Sequence, residues 1–430
     1  MTPGARLAAA IEVLADIEAR RRPAPDALKD WGLARRFAGS KDRAAIAGLV
    51  YDALRRRASA AWIMGEATPR QVLLGTLRLQ RGLEVDAVQA LCSGEGHAPP
   101  PLTVEERARL AAPSLDDAPP HVAGDAPEWA MPQLARAFGD DAVPELQALA
   151  RRAPTDLRVN RLKATREALR AAAPHLGLEI TQHAPDGLRL WPGEDGRGPA
   201  LQAEPEFLAG WFEIQDEGSQ VAALLAAAQP GESVIDLCAG GGGKTLALAA
   251  AMGNQGRIVA TDSDPRRLAP IHARLSRAGV AIAEVRTPRG RADPVADLAG
   301  TADLVLVDAP CTGAGTWRRN PDAKWRLRPG SLAGRLDQQR AVLDRAAALV
   351  RPGGRVVYVT CSVLAEENDD QVAAALARHP GLAPLAAGSV LAGAGMERLR
   401  GVVRLTHHGL QMTPHLTGTD GFYVAALTRR

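Results

Sequence analysis

The sequence predicts an α/β protein whose largest part is an open, mostly parallel sheet, preceded by an all-helical region and a small α+β unit. Three observations predict it. Five short apolar runs, Ser233 to Leu237, Arg257 to Asp262, Ile282 to Arg286, Asp303 to Asp308 and Arg355 to Thr360, alternate with helical stretches, the pattern of strands buried on both faces by crossover helices. The first run empties into four glycines, Gly240 to Gly243, ahead of a helical pattern. Upstream, apolar residues recur at three- and four-residue steps: Leu7, Ile11, Leu14 and Ile17, then Ile46, Leu49, Val50 and Leu54.

Taken in order, Arg6 to about Leu91 reads as a bundle of five or so helices, and Pro and Gly thicken between Gly94 and Pro132 as in a linker or irregular interdomain packing. Leu157 to Asn160 is a short strand, 165–172 a helix and Leu188 to Trp191 further strand, which together make a small α+β unit. The expected domains are 1–140, helical with linker, 141–215, α+β, and 216–430, α/β. Gln215-Asp216-Glu217-Gly218-Ser219-Gln220 leads into the apolar helix Val221 to Ala227, and Gly421 to Leu427 reads as a last strand, antiparallel at the edge.

With 430 residues and 46% hydrophobic content the chain is long enough for two or three cores and is not a disordered chain. Its net charge of +3 is mild, but Met1 to Gly82 holds 15 Lys and Arg against 8 Asp and Glu. That clustering suits a nucleic-acid partner, and equally suits helix faces solvated by arginine. The four cysteines, Cys92, Cys238, Cys311 and Cys361, include no CxxC pair, so no metal site is expected. No apolar run reaches the roughly 18 residues of a membrane helix. The expectation is a cytoplasmic, monomeric protein with reduced thiols and no membrane partner.

Chemistry concentrates at strand ends, where open α/β sheets bind ligands. Asp236-Leu237-Cys238-Ala239 and the glycines run into Lys244-Thr245. Glycines let backbone N–H groups approach a ligand at a helix N-terminus, and two chemistries use such a loop. Gly-Lys-Thr ends a phosphate-binding P-loop, whereas Asp-x-Cys-Ala with glycines suits S-adenosylmethionine (SAM). A P-loop wants glycine five positions before Gly243, and Cys238 stands there. Asp262, at the second strand's end, can accept hydrogen bonds from a ribose diol, or serve as a helix cap. Asp308-Ala309-Pro310-Cys311-Thr312-Gly313 and Thr360-Cys361-Ser362 with Glu367-Asn368 place two cysteines on neighbouring strand ends. A lone buried cysteine is usually an inert hydrophobe. Two in one crevice favour nucleophilic chemistry.

On these residues the chain resembles the RsmB/Sun family of RNA (cytosine-5) methyltransferases. It keeps Asp236, Cys238, Ala239 and Gly242 to Thr245 of the family's Asp-x-Cys-Ala-Ala-Pro-Gly-Gly-Lys-Thr, all of Asp-Ala-Pro-Cys-Ser/Thr-Gly, and Thr-Cys-Ser with Glu-Asn. Arg318-Arg319-Asn320-Pro321-Asp322, 215–220 and Asp420-Gly421-Phe422 are also similar. The resemblance implies a Rossmann-like, SAM-dependent methyltransferase domain behind a NusB-like RNA-binding domain, with 16S-type ribosomal RNA as partner. It implies that Cys361 is the nucleophile, that Cys311 assists breakdown of a covalent adduct, and that Asp308 lies against base and cofactor. Cys238, Ala239, Gly240, Gly241, Gly242, Gly243 and Lys244 would wrap SAM, with Asp262 on its ribose. Two departures stand out. Gly240-Gly241 replaces Ala-Pro, which implies a looser loop, and the stretch Val285 to Gly290 lacks the carboxylate expected near adenine. The readings left open beside this one are a non-catalytic RNA-binding or ribosome-assembly protein and, less well matched, a P-loop-like ATPase.

Overall fold

The computed structural model describes every residue except 194–197, 289 and 291, the last two of which fall in and just after the carboxylate-free stretch that follows the third strand. The chain divides into two compact units. Among the described residues, one comprises Met1–Arg152, Gly193 and Trp317–Arg328, and the other comprises Ala153–Pro192, Gly198–Thr316 and Pro329–Arg430.

The first unit is helical. Its helices include α1 (Pro3–Arg20), α2 (Ala24–Ala34), α3 (Ser40–Arg55), α4 (Arg57–Met64), α5 (Pro69–Leu79) and α6 (Val85–Leu91). Thr2 and Thr68 cap α1 and α5 by accepting backbone N–H groups, and proline opens both helices, where its missing N–H costs nothing. The apolar faces read from the sequence close one core, with Leu7, Leu14, Ile46, Val50 and Leu54 buried together. The proline-rich stretch after Gly94 belongs to this same unit and folds helically at Val104–Ala111 and Pro120–Ala123. A capping box between Thr103 and Glu106 starts the first of these, a local signal that outweighs the surrounding prolines.

The sequence places Trp317–Arg328 within the α/β part, 216–430, whereas this segment folds into the helical unit. Trp325 packs against the helical core and donates to Leu54 O at 2.7 Å. Lys324 Nζ donates to Arg55 O and Asp125 O, at 3.1 and 2.6 Å. Arg55 donates to Arg318 O at 2.9 Å, and Asp322 accepts from Ala24 N. Burial pushes the Lys324 ammonium down to about 7.

The second unit holds two sheets. β1 (Thr155–Val159), β2 (Glu179–Ile180), β3 (Gly187–Leu190) and β4 (Phe212–Ile214) form a four-stranded antiparallel sheet in the order β2-β3-β1-β4. The larger sheet contains β5 (Ser233–Asp236), β6 (Arg257–Ala260), β7 (Ala283–Val285), β8 (Ala302–Asp308), β9 (Val350–Thr360), β10 (Leu382–Pro384), β11 (Arg404–Leu405), β12 (Leu410–Met412) and β13 (Phe422–Arg429). Its order is β11-β12-β13-β9-β8-β5-β6-β7, with β10 also on β13. The strands β5 to β9 are parallel. β13 is antiparallel to β9, as read from the sequence, but it is not an edge strand, because β10 and β12 both pair with it.

Successive residues of the central strands enter opposite cores. Val234, Leu304, Leu306, Val357 and Val359 pack on one side, and Ile235, Val305, Val307, Val356 and Tyr358 on the other. That two-sided burial is why these runs are continuously apolar. The sheet grows outward from β5 in both directions, so the strand order reverses between β5 and β8, and the crevice beyond their carboxyl ends is where such a sheet binds ligands.

Candidate active site

The loop after β5 descends from Asp236, which is fully buried and accepts Thr245 Oγ1 at 2.7 Å on one oxygen while its other oxygen has no partner. Burial, against the Thr245 hydrogen bond, pushes its carboxyl up to about 7. Gly242 sits at φ +83°, and a β-carbon there would lie 2.5 Å from Ile271 Cγ1, so only glycine fits this close approach. Gly240 also takes a left-handed φ of +49°, and its N–H donates to Asp262 at 3.0 Å. Asp262 thereby joins the loop to the end of β6, its other oxygen accepting Asp264 N at 2.9 Å. Each of its oxygens keeps a lone pair for a ligand hydroxyl.

Two arginines that the sequence reading did not single out hold this loop. Arg274 donates to Gly241 O at 2.6 Å and to Glu213 at 2.9 Å. Arg158, on β1 and bonded to Gln215, donates to Gly243 O at 2.7 Å. The extra freedom of Gly240-Gly241 is therefore offset by fixed carbonyls. The signal was out of reach in sequence, since Arg158 is 85 residues from its partner.

Lys244 turns away from the glycines. Its ammonium lies 2.7 Å from Asp308 and over the Phe422 ring at 5.3 Å, which couples the first loop to the end of β8. Cys238 packs among the core residues beneath the loop, and burial pushes its thiol up, so it keeps its proton.

Cys311 and Cys361, beyond the ends of β8 and β9, come together with sulfurs 3.3 Å apart and no disulfide. The Cys311 thiol is raised well above its usual value, first by its hydrogen bond to Cys361 and then by burial. Glu367, fully buried, clasps the Cys311 loop by accepting Thr312 N at 2.8 Å and Thr312 Oγ1 at 2.5 Å. Gln339 donates to the same carboxylate at 3.0 Å. Asn368 fixes the other loop, accepting Thr360 Oγ1 at 2.6 Å and donating to Ser362 O at 3.1 Å. Gly315 N donates to Cys361 O, and Gly421 N to Gly315 O, at 2.9 and 2.8 Å. A β-carbon on Gly315 would lie 2.1 Å from Gly421 O, which places the Asp420-Gly421-Phe422 motif against the thiol loops.

The predicted residues thus lie in two groups beyond the strand ends, Asp236 to Lys244 with Asp262 and Asp308 with the thiols, linked by the Lys244–Asp308 ion pair. Among the described residues no group of three or more His, Cys, Asp or Glu is placed to hold a metal ion, and no helix is long and apolar enough to cross a membrane.

A parallel sheet reversing at β5 and β8, with a glycine loop on one side of the switch and reactive groups on the other, defines a Rossmann-like methyltransferase domain. The family described as "16S rRNA methyltransferase RsmB/F" matches residues 222–428, and "Methyltr_RsmF/B-like, ferredoxin-like domain" matches 126–193. The ribosomal RNA small subunit methyltransferase B of Erwinia tasmaniensis is 31% identical over 423 residues, covering 92% of this chain and 93% of that one. Its counterpart in Sodalis glossinidius is 36% identical over 309 residues, covering 70% of this chain and 65% of that one. A solved methyltransferase homologue from Pyrococcus horikoshii superposes with a TM-score of 0.58 at 26% identity, over 74% of this chain and all of that one. The chain belongs to the RsmB/F methyltransferase family.

Proposed function

We propose that this chain transfers a methyl group from SAM to carbon 5 of a cytosine in small-subunit ribosomal RNA, through a covalent adduct on Cys361. The observation that carries this reading is the pair of reduced thiols 3.3 Å apart beside the Lys244–Asp308 bridge. The names of the relatives support the ribosomal substrate.

Carbon 5 of cytosine is a poor nucleophile. Addition of the Cys361 thiolate to carbon 6 makes carbon 5 enamine-like, and SAM, when bound, supplies the methyl group to it. Loss of the carbon-5 proton to water then lets the carbon 5–carbon 6 double bond re-form as the carbon–sulfur bond breaks. Cys311, which retains its proton, stabilises the departing Cys361 sulfur by donating to it. Asp308 lies against base and cofactor. The residues present suit SAM: the loop from Cys238 to Gly243 is closely packed, and Asp262 has acceptor capacity for a ribose. The target base has to leave its stack to enter the crevice, which loop or single-stranded RNA permits at least cost.

The test is transfer of labelled methyl from SAM to unmodified small-subunit ribosomal RNA, with bisulfite sequencing to locate the product. Conversion of one cytosine to 5-methylcytosine is expected, with ATP and magnesium giving no binding signal in calorimetry. RNA binding with no methyl transfer, on naked RNA and on small-subunit particles, overturns the catalytic reading in favour of a non-catalytic RNA-binding protein.

A further inference from the structure

Within the helical unit, α3 and α5 border an open cavity of about 470 Å3, lined by Ala45, Gly48, Asp52, Gln80, Arg81 and Arg152 among others. Asp52 is 2% exposed and aims two guanidinium groups into this cavity. Arg81 donates to it through Nε and Nη2 at 3.1 and 2.9 Å, and Arg152 through Nε and Nη2 at 3.1 and 2.8 Å. Neither Nη1 has a partner among the described residues. One buried carboxylate thus orients two arginines and neutralises only one of them. Next to them Gln80 is held by Arg56 at 2.9 Å, and Arg56 is itself paired with Asp125 at 3.5 Å, so the surplus charge comes from Arg81 and Arg152 alone. Gly48 keeps the floor clear, since even a β-carbon there would lie 3.5 Å from Arg81 Nη2 and 3.8 Å from Arg152 Nη2.

A polar cavity with a surplus of positive charge and two guanidinium forks fixed before any ligand arrives matches a tetrahedral oxyanion. We propose that this cavity binds a backbone phosphate of the substrate RNA. The proposal rests on the reading of the protein as an RNA methyltransferase, which supplies the polyanion that the mild net charge alone does not imply. The cavity acts in binding and not in the chemical step. Its ligand chemistry, a phosphate group, is shared with free phosphate, and the experiment separates the two.

Gly48→Glu provides the test. The helix interior accepts a side chain there and gains from losing glycine, and the new carboxylate reaches the free guanidinium edges and takes the ligand's place. Thermal unfolding at or above that of the native chain establishes that the variant folds. RNA affinity is then measured across a salt series beside Leu33→Glu, which adds the same charge at an exposed residue outside the cavity. Gly48→Glu is expected to weaken binding about ten-fold and to flatten the dependence of log Kd on log salt by about one unit, as loss of one to two phosphate contacts does. Leu33→Glu should bind as the native chain does. In the native chain, millimolar inorganic phosphate at constant ionic strength should compete with RNA, and should lose that effect in Gly48→Glu. Equal RNA affinity and salt slope in Gly48→Glu and native protein overturn the proposal, as does phosphate binding at the cavity that leaves RNA affinity unmoved. Methyl transfer at saturating RNA is read in the native chain and in Leu33→Glu, and should be the same in the two. Absence of transfer in both, with the difference in RNA affinity intact, would sink the catalytic reading and leave this site standing.

Discussion

Replacing either of two sulfurs 3.3 Å apart by hydrogen has opposite consequences if their roles are those proposed. Cys361→Ala removes the group that adds to carbon 6, so both methyl transfer and adduct should vanish. Cys311→Ala leaves addition intact and removes the thiol that assists release, so a protein–RNA complex should persist as a shifted band on a denaturing gel. The reverse pattern would exchange the roles. A second residue carries a prediction about pH. The folded chain holds a proton on Asp236 up to about pH 7, whereas an unfolded aspartate releases it near 4. Stability from this group is therefore full below about pH 4 and is lost as pH rises toward 7. Asp236→Asn should flatten that part of the curve, by an amount on the order of a few kcal/mol across the interval, as read from denaturant midpoints at a series of pH values. An unchanged slope would mean that Asp236 is charged in the folded chain.

Elements decide how firmly the glycine loop is held. The Arg274 guanidinium grips Gly241 O, and a β-carbon on Gly241 would meet Arg274 Nη1 at 3.0 Å. Glycine and arginine are thus matched, one making room for the other. Arg274→Ala should weaken SAM binding by about five- to ten-fold in calorimetry, because the loop is left to be ordered by the ligand. Gly241→Ala should cost more affinity in the native background than beside Arg274→Ala. Additive losses would show that the two do not act together. This pairing also marks a limit of the sequence reading. The parallel strands, the glycine loop, Asp262, Asp308 and the cysteines were legible because each announces itself within a few residues, as an apolar run or a motif. Arg274 and Arg158 act across tens of residues, and nothing local distinguishes them from other charged side chains; Glu367 lies in a legible motif, but its clasp on Thr312, 55 residues away, does not show in it. The two- and three-residue strands β11 and β12 were also missed, being too short to show any period.

For the whole molecule, the division of the chain matters most at Trp317–Arg328, which follows the Cys311 loop in sequence but belongs to the helical unit. In sequence this stretch sits among methyltransferase motifs, and no pattern in it reveals that Trp325 and Lys324 find their partners in Leu54, Arg55 and Asp125. The helical unit thus incorporates a stretch that follows the Cys311 loop in sequence, and a prediction follows from that. Were the unit a detachable RNA-binding appendage, removing residues 1–103 would raise KM for RNA and leave kcat at saturating RNA untouched. Removal in fact takes away Leu54 O and Arg55 O and much of the apolar surface around Trp325, leaving the Lys324 ammonium and an indole exposed a few residues after Thr316. We expect the truncated chain to lose kcat by at least ten-fold and to unfold at lower temperature, not only to bind RNA less tightly. Trp325→Ala in the full chain separates the two effects, since it keeps every basic residue of the helical unit. It should destabilise that unit by about 2–4 kcal/mol, the usual cost of emptying a large apolar site, and lower kcat while the salt dependence of RNA binding stays as it was. A truncated chain with native kcat would overturn this expectation.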